Sequence, residues 1–369
     1  MQNYKKNRNF ANFYLYFYIM YLTPSSINTI LDGLPNGQLF VLTDTNTATY
    51  CLPLFSEFIG ETPYHLLTLE AGENSKNISS VQVVWDFLIK HRATRQAVLI
   101  NLGGGMITDL GGFAAATYMR GIRFVNIPTT LLAMVDASSG GKTGFDYQGV
   151  KNVIGSFTPP LATFIYPYFL TSLPNTELLS GLAEMLKHAL IASSDEWIRL
   201  LQMLDEELPQ ELFIKSLSNT GALQASIEIK ENVVTQDPHE EGLRKILNFG
   251  HTVGHAIEAT SLEEGKKSLS HGYCVLWGMI AEVYLSVAHA GCPREVLQQL
   301  VQIMLQYYGR PTCNCKQREK LIERMYQDKK NSANKTPNFT LLRNVGKPII
   351  NQYLSEKDID EALEFLFSL

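Results

Sequence analysis

The feature that most constrains this chain is a change of pattern at about Pro174. Before it, short β-rich runs alternate with helical patterns. Leu39 to Thr43, Ala97 to Leu102, Phe124 to Ile127 and Thr163 to Tyr166 read as buried strands. Ser79 to His91 and Asp109 to Met119 read as helices. Such alternation predicts a mostly parallel sheet with helices on both faces. After Pro174 come long stretches rich in Leu, Glu, Ile and Ala, with few strand signals. The expected fold class is an α/β N-terminal domain over 23–175 followed by an all-α C-terminal domain over 176–369. The ligand site is expected in the cleft between them.

The bulk numbers exclude several classes. A chain of 369 residues, 45% hydrophobic and 18% charged, suits a soluble two-domain protein. A net charge of -5 argues against a nucleic-acid partner, so any anion site must be local. The cysteines are five, Cys51, Cys274, Cys292, Cys313 and Cys315, with no Cys-x-x-Cys pair. Neither a disulfide framework nor a zinc ribbon is indicated, and a cytoplasmic location fits. Lys5, Lys6 and Arg8 precede an aromatic-rich run from Phe13 to Leu22. That run is long enough for a signal-peptide core but too short to span a membrane. No small-residue cleavage site follows, so residues 1–22 read as a dispensable extension with Met20 as an alternative start. No membrane partner is expected.

Several segments carry chemistry. The run Ala97–Leu102 leads into Gly103-Gly104-Gly105-Met106-Ile107-Thr108-Asp109, a strand, a glycine turn and a helix start. Such a turn lets backbone approach a pyrophosphate, and the helix N-terminus attracts its charge. The spacing is not the Rossmann fingerprint, and a plain tight turn looks the same. Ser138-Ser139-Gly140-Gly141-Lys142-Thr143-Gly144 resembles the end of a phosphate loop, but Ala137 stands where the Walker pattern needs glycine. Gly181-Leu182-Ala183-Glu184-Met185-Leu186-Lys187 lies in a helical pattern, where Glu184 and Lys187 could equally be a solvated ion pair. In Leu247-Asn248-Phe249-Gly250-His251-Thr252-Val253-Gly254-His255-Ala256, two histidines four apart share a helix face. The zinc-protease glutamate is absent from that motif, and a helical pair with ordinary hydrogen bonds has the same spacing. Ser270-His271-Gly272 precedes a further helical run. A Glu and two His from three helical regions make a sensible catalytic zinc set, with room for substrate oxygens.

Taken together these segments, with Tyr118-Met119-Arg120-Gly121, Pro128-Thr129-Thr130-Leu131-Leu132-Ala133 and Lys151-Asn152, resemble the 3-dehydroquinate synthases, one family of the sugar phosphate cyclases. The resemblance runs from about Leu39 to the C-terminus. It implies a lyase of the shikimate pathway, on the way to chorismate and the aromatic amino acids. Its substrate is a phosphorylated keto-sugar acid, 3-deoxy-D-arabino-heptulosonate 7-phosphate, which becomes 3-dehydroquinate and phosphate. NAD is used catalytically, and a divalent metal is required, zinc expected and cobalt the alternative. A homodimer is implied.

Residue roles follow by position from the resemblance. Glu184, His251 and His271 look like metal ligands. Asp44 and the Glu73-Asn74-Ser75-Lys76 segment resemble adenosine-side contacts. Gly104, Gly105 and Asp109 look like the pyrophosphate turn of an NAD-binding domain, with Thr129, Thr130 and Ser172 on the cofactor side. Lys142 and Lys151 fit both cofactor and substrate; Asp136, Asn152 and Asn248 resemble substrate ligands. Lys187, Lys230, Arg244 and His255 complete the pocket. Arg120 would reach a neighbouring subunit's site, and Lys335 is the expected late phosphate-binding lysine. Thr108 stands where the family has Gly, Ser172 where it often has Thr, and Tyr273 where Glu is common. Glu263, Glu264, Lys266 and Lys267 are expected in a surface loop.

Other readings share these residues. Carboxylate-free sugar phosphate cyclases, of 2-deoxy-scyllo-inosose or valiolone type, would not need the Lys230 and Arg244 pair. A metal-dependent alcohol dehydrogenase would release NADH and would not need Lys142, Lys151 and Asn152. A non-catalytic binding protein would not need the metal positions.

Overall fold

The structure is a computed structural model and describes residues 19–148, 150–205, 209–263, 269–312, 315–327 and 336–369. Its first half is built on a six-stranded parallel sheet. The strands are β1 (Ile19–Tyr21), β2 (Leu39–Asp44), β3 (His65–Leu69), β4 (Val98–Gly103), β5 (Arg123–Pro128) and, after an intervening hairpin, β8 (Ala162–Ile165), in the order β1-β8-β5-β4-β2-β3. Side-chain alternation sends the two faces into different cores. Leu39, Val41, Val98, Ile100, Val125 and Ile127 join the core shared with the helical half. Phe40, Leu42, Leu99 and Phe124 pack on the other face. Burial on both faces explains why these strands read as continuous apolar runs.

The helix after β4, Gly105–Thr117, lies unusually close to the sheet. A Cβ on Gly111 would fall 2.0 Å from Asn101 Oδ1, and one on Gly112 would fall 2.6 Å from Thr143 Cγ2. Asn101 Nδ2 in turn donates to Asn126 Oδ1 at 3.0 Å, linking the two amides inside the sheet.

Four features depart from the sequence expectation. Strand β3 has mixed burial and shows no clean apolar run. An antiparallel hairpin, β6 (Lys142–Tyr147) and β7 (Val150–Phe157), starts directly after Gly140-Gly141, where no strand was expected. Its strands pair tightly because Gly144 and Gly155 face each other, a Cβ on Gly155 falling 2.2 Å from the Thr143 carbonyl oxygen. The second half is helix-rich as expected but not all-α, since it holds the hairpin β9 (Asn338–Leu342) and β10 (Pro348–Tyr353). Two short strands cannot be separated by composition from the long helical stretches around them. Ile19–Tyr21, expected within the extension, pairs in parallel with β8.

Among the described residues no helix is long and apolar enough to cross a membrane. Cys51, Cys274 and Cys292 are buried free thiols.

Candidate active site

Three helices meet at glycines. Glu184 lies in the helix Asn175–Ala192, His251 opens the helix His251–Glu263, and His271 opens the helix His271–His289. A Cβ on Gly278 would stand 2.0 Å from the Gly250 carbonyl oxygen, so only glycine allows the two histidine helices to cross this closely. Gly272 lies as tightly on Ser180, and its N–H donates to Ser180 Oγ at 3.0 Å. These approaches bring the three side chains together. Glu184 Oε1 lies 3.5 Å from His251 Nε2 and 3.4 Å from His271 Nε2.

This triangle fits a divalent metal. Glu184 is fully buried, and its Oε1 makes no hydrogen bond. An orphaned buried carboxylate oxygen facing two imidazoles is costly unless a cation joins them. His251 Nδ1 faces the Phe249 carbonyl at 3.1 Å, and His271 Nδ1 faces Glu258 Oε2 at 3.2 Å. Both acceptors take the Nδ1 proton, leaving each Nε2 lone pair for a metal. Burial opposes ionisation of Glu184, yet the Lys187 ammonium and the facing imidazoles hold it well below the usual carboxylate range. Burial disfavours charged His271, but the facing carboxylates of Glu184 and Glu258 outweigh this and push it up to about 10. His255, one turn beyond His251, stands with its ring 5.0 Å from that of His251 and 6.0 Å from that of His271.

Lysines surround the triangle, each tied to a carboxylate. Lys187 pairs with Glu184 inside one helix. Lys230, from the helix Ala222–Gln236, donates to Asp136 Oδ1 at 2.7 Å, joining the helical half to the turn Ala133–Ala137. Burial would raise Asp136, but Lys230 and Lys187 hold it well below the usual range. Lys142, at the start of β6, pairs with Glu240, which also accepts from Asn248 Nδ2 at 2.7 Å. Lys151, on β7, pairs with Glu258 at 2.7 Å. Arg244 is buried and donates to the carbonyls of Pro238 at 2.6 Å and Gly140 at 3.4 Å.

The glycine turn forms a second region. Gly104 caps the helix Gly105–Thr117, and no side chain bonds its N-terminal N–H groups. A Cβ on Gly104 would meet Thr130 Cγ2 at 3.0 Å, and Thr129 N–H donates to the Gly103 carbonyl at 3.0 Å. That leaves a bare helix N-terminus under a close loop, which suits a pyrophosphate. Lys76 donates to Asp109 at 2.6 Å and lies 3.8 Å from Glu73. Despite its burial, those carboxylates hold the Lys76 ammonium above its ordinary value. Asp44 caps the helix Thr45–Tyr50, accepting from Thr47 N–H at 2.8 Å. Ser172 bonds back to the Phe169 carbonyl at 3.3 Å and touches Cys51.

The structure therefore brings Lys187, His255, Lys151 through Glu258, and the Lys230–Asp136 pair to the triangle, whereas Lys142 and Asn248 meet each other at Glu240 and Arg244 lies against Gly140 and Pro238. Asn152 stands on the exposed side of β7 at a positive φ, its N–H on Asp146. Arg120 is on the exposed turn after the glycine-turn helix, also at positive φ. Lys335 and the stretch Glu264–Lys267 lie outside the described residues; Glu263 ends its helix. Three acids escaped sequence reasoning: Glu240, Glu258 and Glu282. Glu282 is wholly buried and accepts from the N–H groups of Gly250 at 2.7 Å, Thr252 at 3.1 Å and Val253 at 3.4 Å. It thus caps the helix that His251 opens. A lone carboxylate inside the apolar run Val275–Val287 was the available signal. The β9–β10 hairpin buttresses the same corner, with Thr252 Oγ1 on the Asn338 carbonyl at 3.0 Å and Thr340 Oγ1 on that of Lys245 at 2.9 Å.

Solved structures with this build define its class. A 2-epi-5-epi-valiolone synthase from Streptomyces hygroscopicus subsp. jinggangensis, determined with NAD+ and Zn2+ bound, superposes with a TM-score of 0.83 at 25% identity, covering 98% of this chain and 99% of that one. A 2-deoxy-scyllo-inosose synthase shares the fold at a TM-score of 0.77 and 22% identity, over 94% and 95% of the two chains. The architecture is that of a sugar phosphate cyclase. Family models described as 3-dehydroquinate synthase N-terminal and 3-dehydroquinate synthase C-terminal match residues 66–180 and 181–331. A 3-dehydroquinate synthase of Parabacteroides distasonis is 43% identical over 92% of this chain and 94% of its own length. One from Solibacter usitatus is 36% identical over 89% of each. The chain belongs to the 3-dehydroquinate synthase family.

Proposed function

We propose that this chain converts 3-deoxy-D-arabino-heptulosonate 7-phosphate into 3-dehydroquinate and phosphate, in the shikimate pathway. Residues 23–175 serve as the cofactor half, and 176–369 as the metal and substrate half. The observation that carries the reading is the Glu184–His251–His271 triangle set among lysines of both halves, in a chain of this family. When bound, NAD supplies a hydride acceptor that later returns the hydride, and the metal, zinc or cobalt, polarises adjacent substrate hydroxyls.

The chain's own residues do the rest. Arg244 and Lys230 hold the substrate carboxylate by charge-assisted hydrogen bonds. Lys142, Lys151 and Asn152 hold the phosphate and orient it for elimination. Asn248 and Asp136 fix the ring hydroxyls, while Lys187 keeps Glu184 ionised. His255 stands beside the metal ligands, placed to take and return a proton at the reacting carbon. Asp44, Glu73, Lys76, Gly104, Gly105, Asp109, Thr129, Thr130 and Ser172 serve the NAD side, and Lys335 is the late phosphate-binding lysine that the resemblance implies.

A homodimer is part of the reading. Arg120 and Met119 are exposed on their turn, and β7 shows Val150, Val153, Ile154 and Phe157 to solvent, apolar surface that a second copy would cover. A cytoplasmic location accords with buried free thiols. The test is turnover with NAD, metal and the heptulosonate phosphate. Phosphate release should run far beyond the NAD supplied, with no NADH accumulating. Stoichiometric NADH would instead mark a dehydrogenase and overturn the reading.

A further inference from the structure

The two histidines of the triangle are presented alike but anchored differently. Each aims Nε2 at Glu184 Oε1. Behind His251 stands a neutral backbone carbonyl, Phe249. Behind His271 stands a carboxylate, Glu258 Oε2 at 3.2 Å. Glu258 belongs to the helix that His251 opens, so one ligand's helix orients the other ligand. Its second oxygen, Oε1, accepts Lys151 Nζ at 2.7 Å from the β6–β7 hairpin. The Glu258 side chain is only 8% exposed, so both bonds lie largely out of water.

We propose that Glu258 is a positioning residue of the metal centre, and that Lys151 tunes it by sharing the same carboxylate. The inference rests on the metal-centre reading above and adds residues to it. A carboxylate accepting from Nδ1 locks the ring orientation and the tautomer, and it increases electron density at Nε2. An ammonium on the other oxygen draws that density away. The chain Lys151–Glu258–His271 then links anion binding at the hairpin to cation binding at the triangle. An anionic ligand that engages Lys151 releases Glu258 to serve His271 alone, so the metal is held more tightly. Linkage requires the reverse as well: bound metal strengthens anion binding.

The two residues therefore have opposite signs, which a purely structural role does not produce. The experiment measures zinc affinity of the full chain by chelator competition, without NAD or substrate. Glu258→Gln should weaken zinc by about 10- to 100-fold. Lys151→Met should tighten it. Thermal unfolding of the metal-free variants establishes that they fold, and Glu258→Asp offers a smaller change if Glu258→Gln does not. Cobalt reports the ligand set: its visible spectrum should keep its shape in the Glu258 variant. A change within about twofold for Glu258→Gln overturns the proposal. Weaker zinc in Lys151→Met overturns the shared-carboxylate link. A new cobalt spectrum would make Glu258 a direct ligand, and the positioning role falls. If the unsubstituted chain binds no zinc, the metal-centre reading fails with it; if it does bind and the variants match it, this inference fails alone.

Discussion

Gly272 is pressed against Ser180: a Cβ at residue 272 would lie 2.1 Å from the Ser180 carbonyl oxygen and 2.4 Å from its Cα. Backbone on backbone cannot yield as a flexible side chain does. Gly272→Ala should therefore push apart the helices that carry His271 and Glu184. Overpacking of this kind costs about 1–3 kcal/mol. Denaturant unfolding should show that loss, and zinc content should drop with it. Unchanged stability and full metal occupancy would mean that the contact is not what sets the triangle.

Glu282 makes a separate prediction. Its carboxylate satisfies three backbone N–H groups at the start of the His251 helix, inside the protein. Glu282→Ala leaves those donors without their acceptor, at a cost of about 1.5–3 kcal/mol or more. Glu282→Gln should be intermediate, because its amide nitrogen repels one of the same donors. Equal stability of Glu282→Ala and the parent chain, by urea titration, would remove the capping role.

Arg244 bonds backbone carbonyls, whereas the neighbouring lysines pair with carboxylates. On the proposed function, its guanidinium takes the substrate carboxylate. Losing that contact by Arg244→Ala should lower kcat/KM by about 10- to 100-fold or more. A substrate analogue without the carboxylate should lose far less, and NAD affinity should hardly move. Equal losses on both substrates would reopen the choice between this family's reaction and the carboxylate-free cyclases.

The turn that presents Arg244 and Glu240 depends on pH. Asp237 accepts from the N–H groups of Gly242 at 2.8 Å, Arg244 at 2.9 Å and Glu241 at 3.0 Å. The Arg244 N–H contributes most, and together these bonds outweigh burial to hold the carboxyl below its usual value. A carboxyl lowered on folding adds stability above its unfolded value, about 3.9, and that stability fades as pH falls through the folded value. The parent should accordingly outlast Asp237→Ala in thermal unfolding from neutral pH down to about pH 4, and the gap should close below it. A gap that widens on acidification would contradict the sign.

Much of the fold and of the site is legible in the amino-acid sequence. Val98–Gly103 and Arg123–Pro128 are buried on both faces, so their apolar runs stand out. Glu184, His251 and His271 fall in motifs dense with glycine, and those glycines are the helix contacts. The β6–β7 hairpin is hidden because its pairing depends on Gly144 meeting Gly155, a relation between segments. Glu258 and Glu282 are hidden for a similar reason. Each acts on a neighbouring element, His271 in one case and the Gly250–Val253 backbone in the other, and periodicity records only an element's own faces.

The pairing of cleft lysines has one more consequence. Lys76, Lys142, Lys151, Lys187 and Lys230 each hold a carboxylate of the same chain, Asp109, Glu240, Glu258, Glu184 and Asp136 respectively. On the proposed function, a phosphate or carboxylate entering the site meets lysines already paired, and it binds by replacing an internal partner. The site would then work as an ion exchanger whose counter-ions are tethered to the protein. Simple anions gain little by exchanging at one position, whereas a ligand with several correctly spaced charges displaces several tethered groups together.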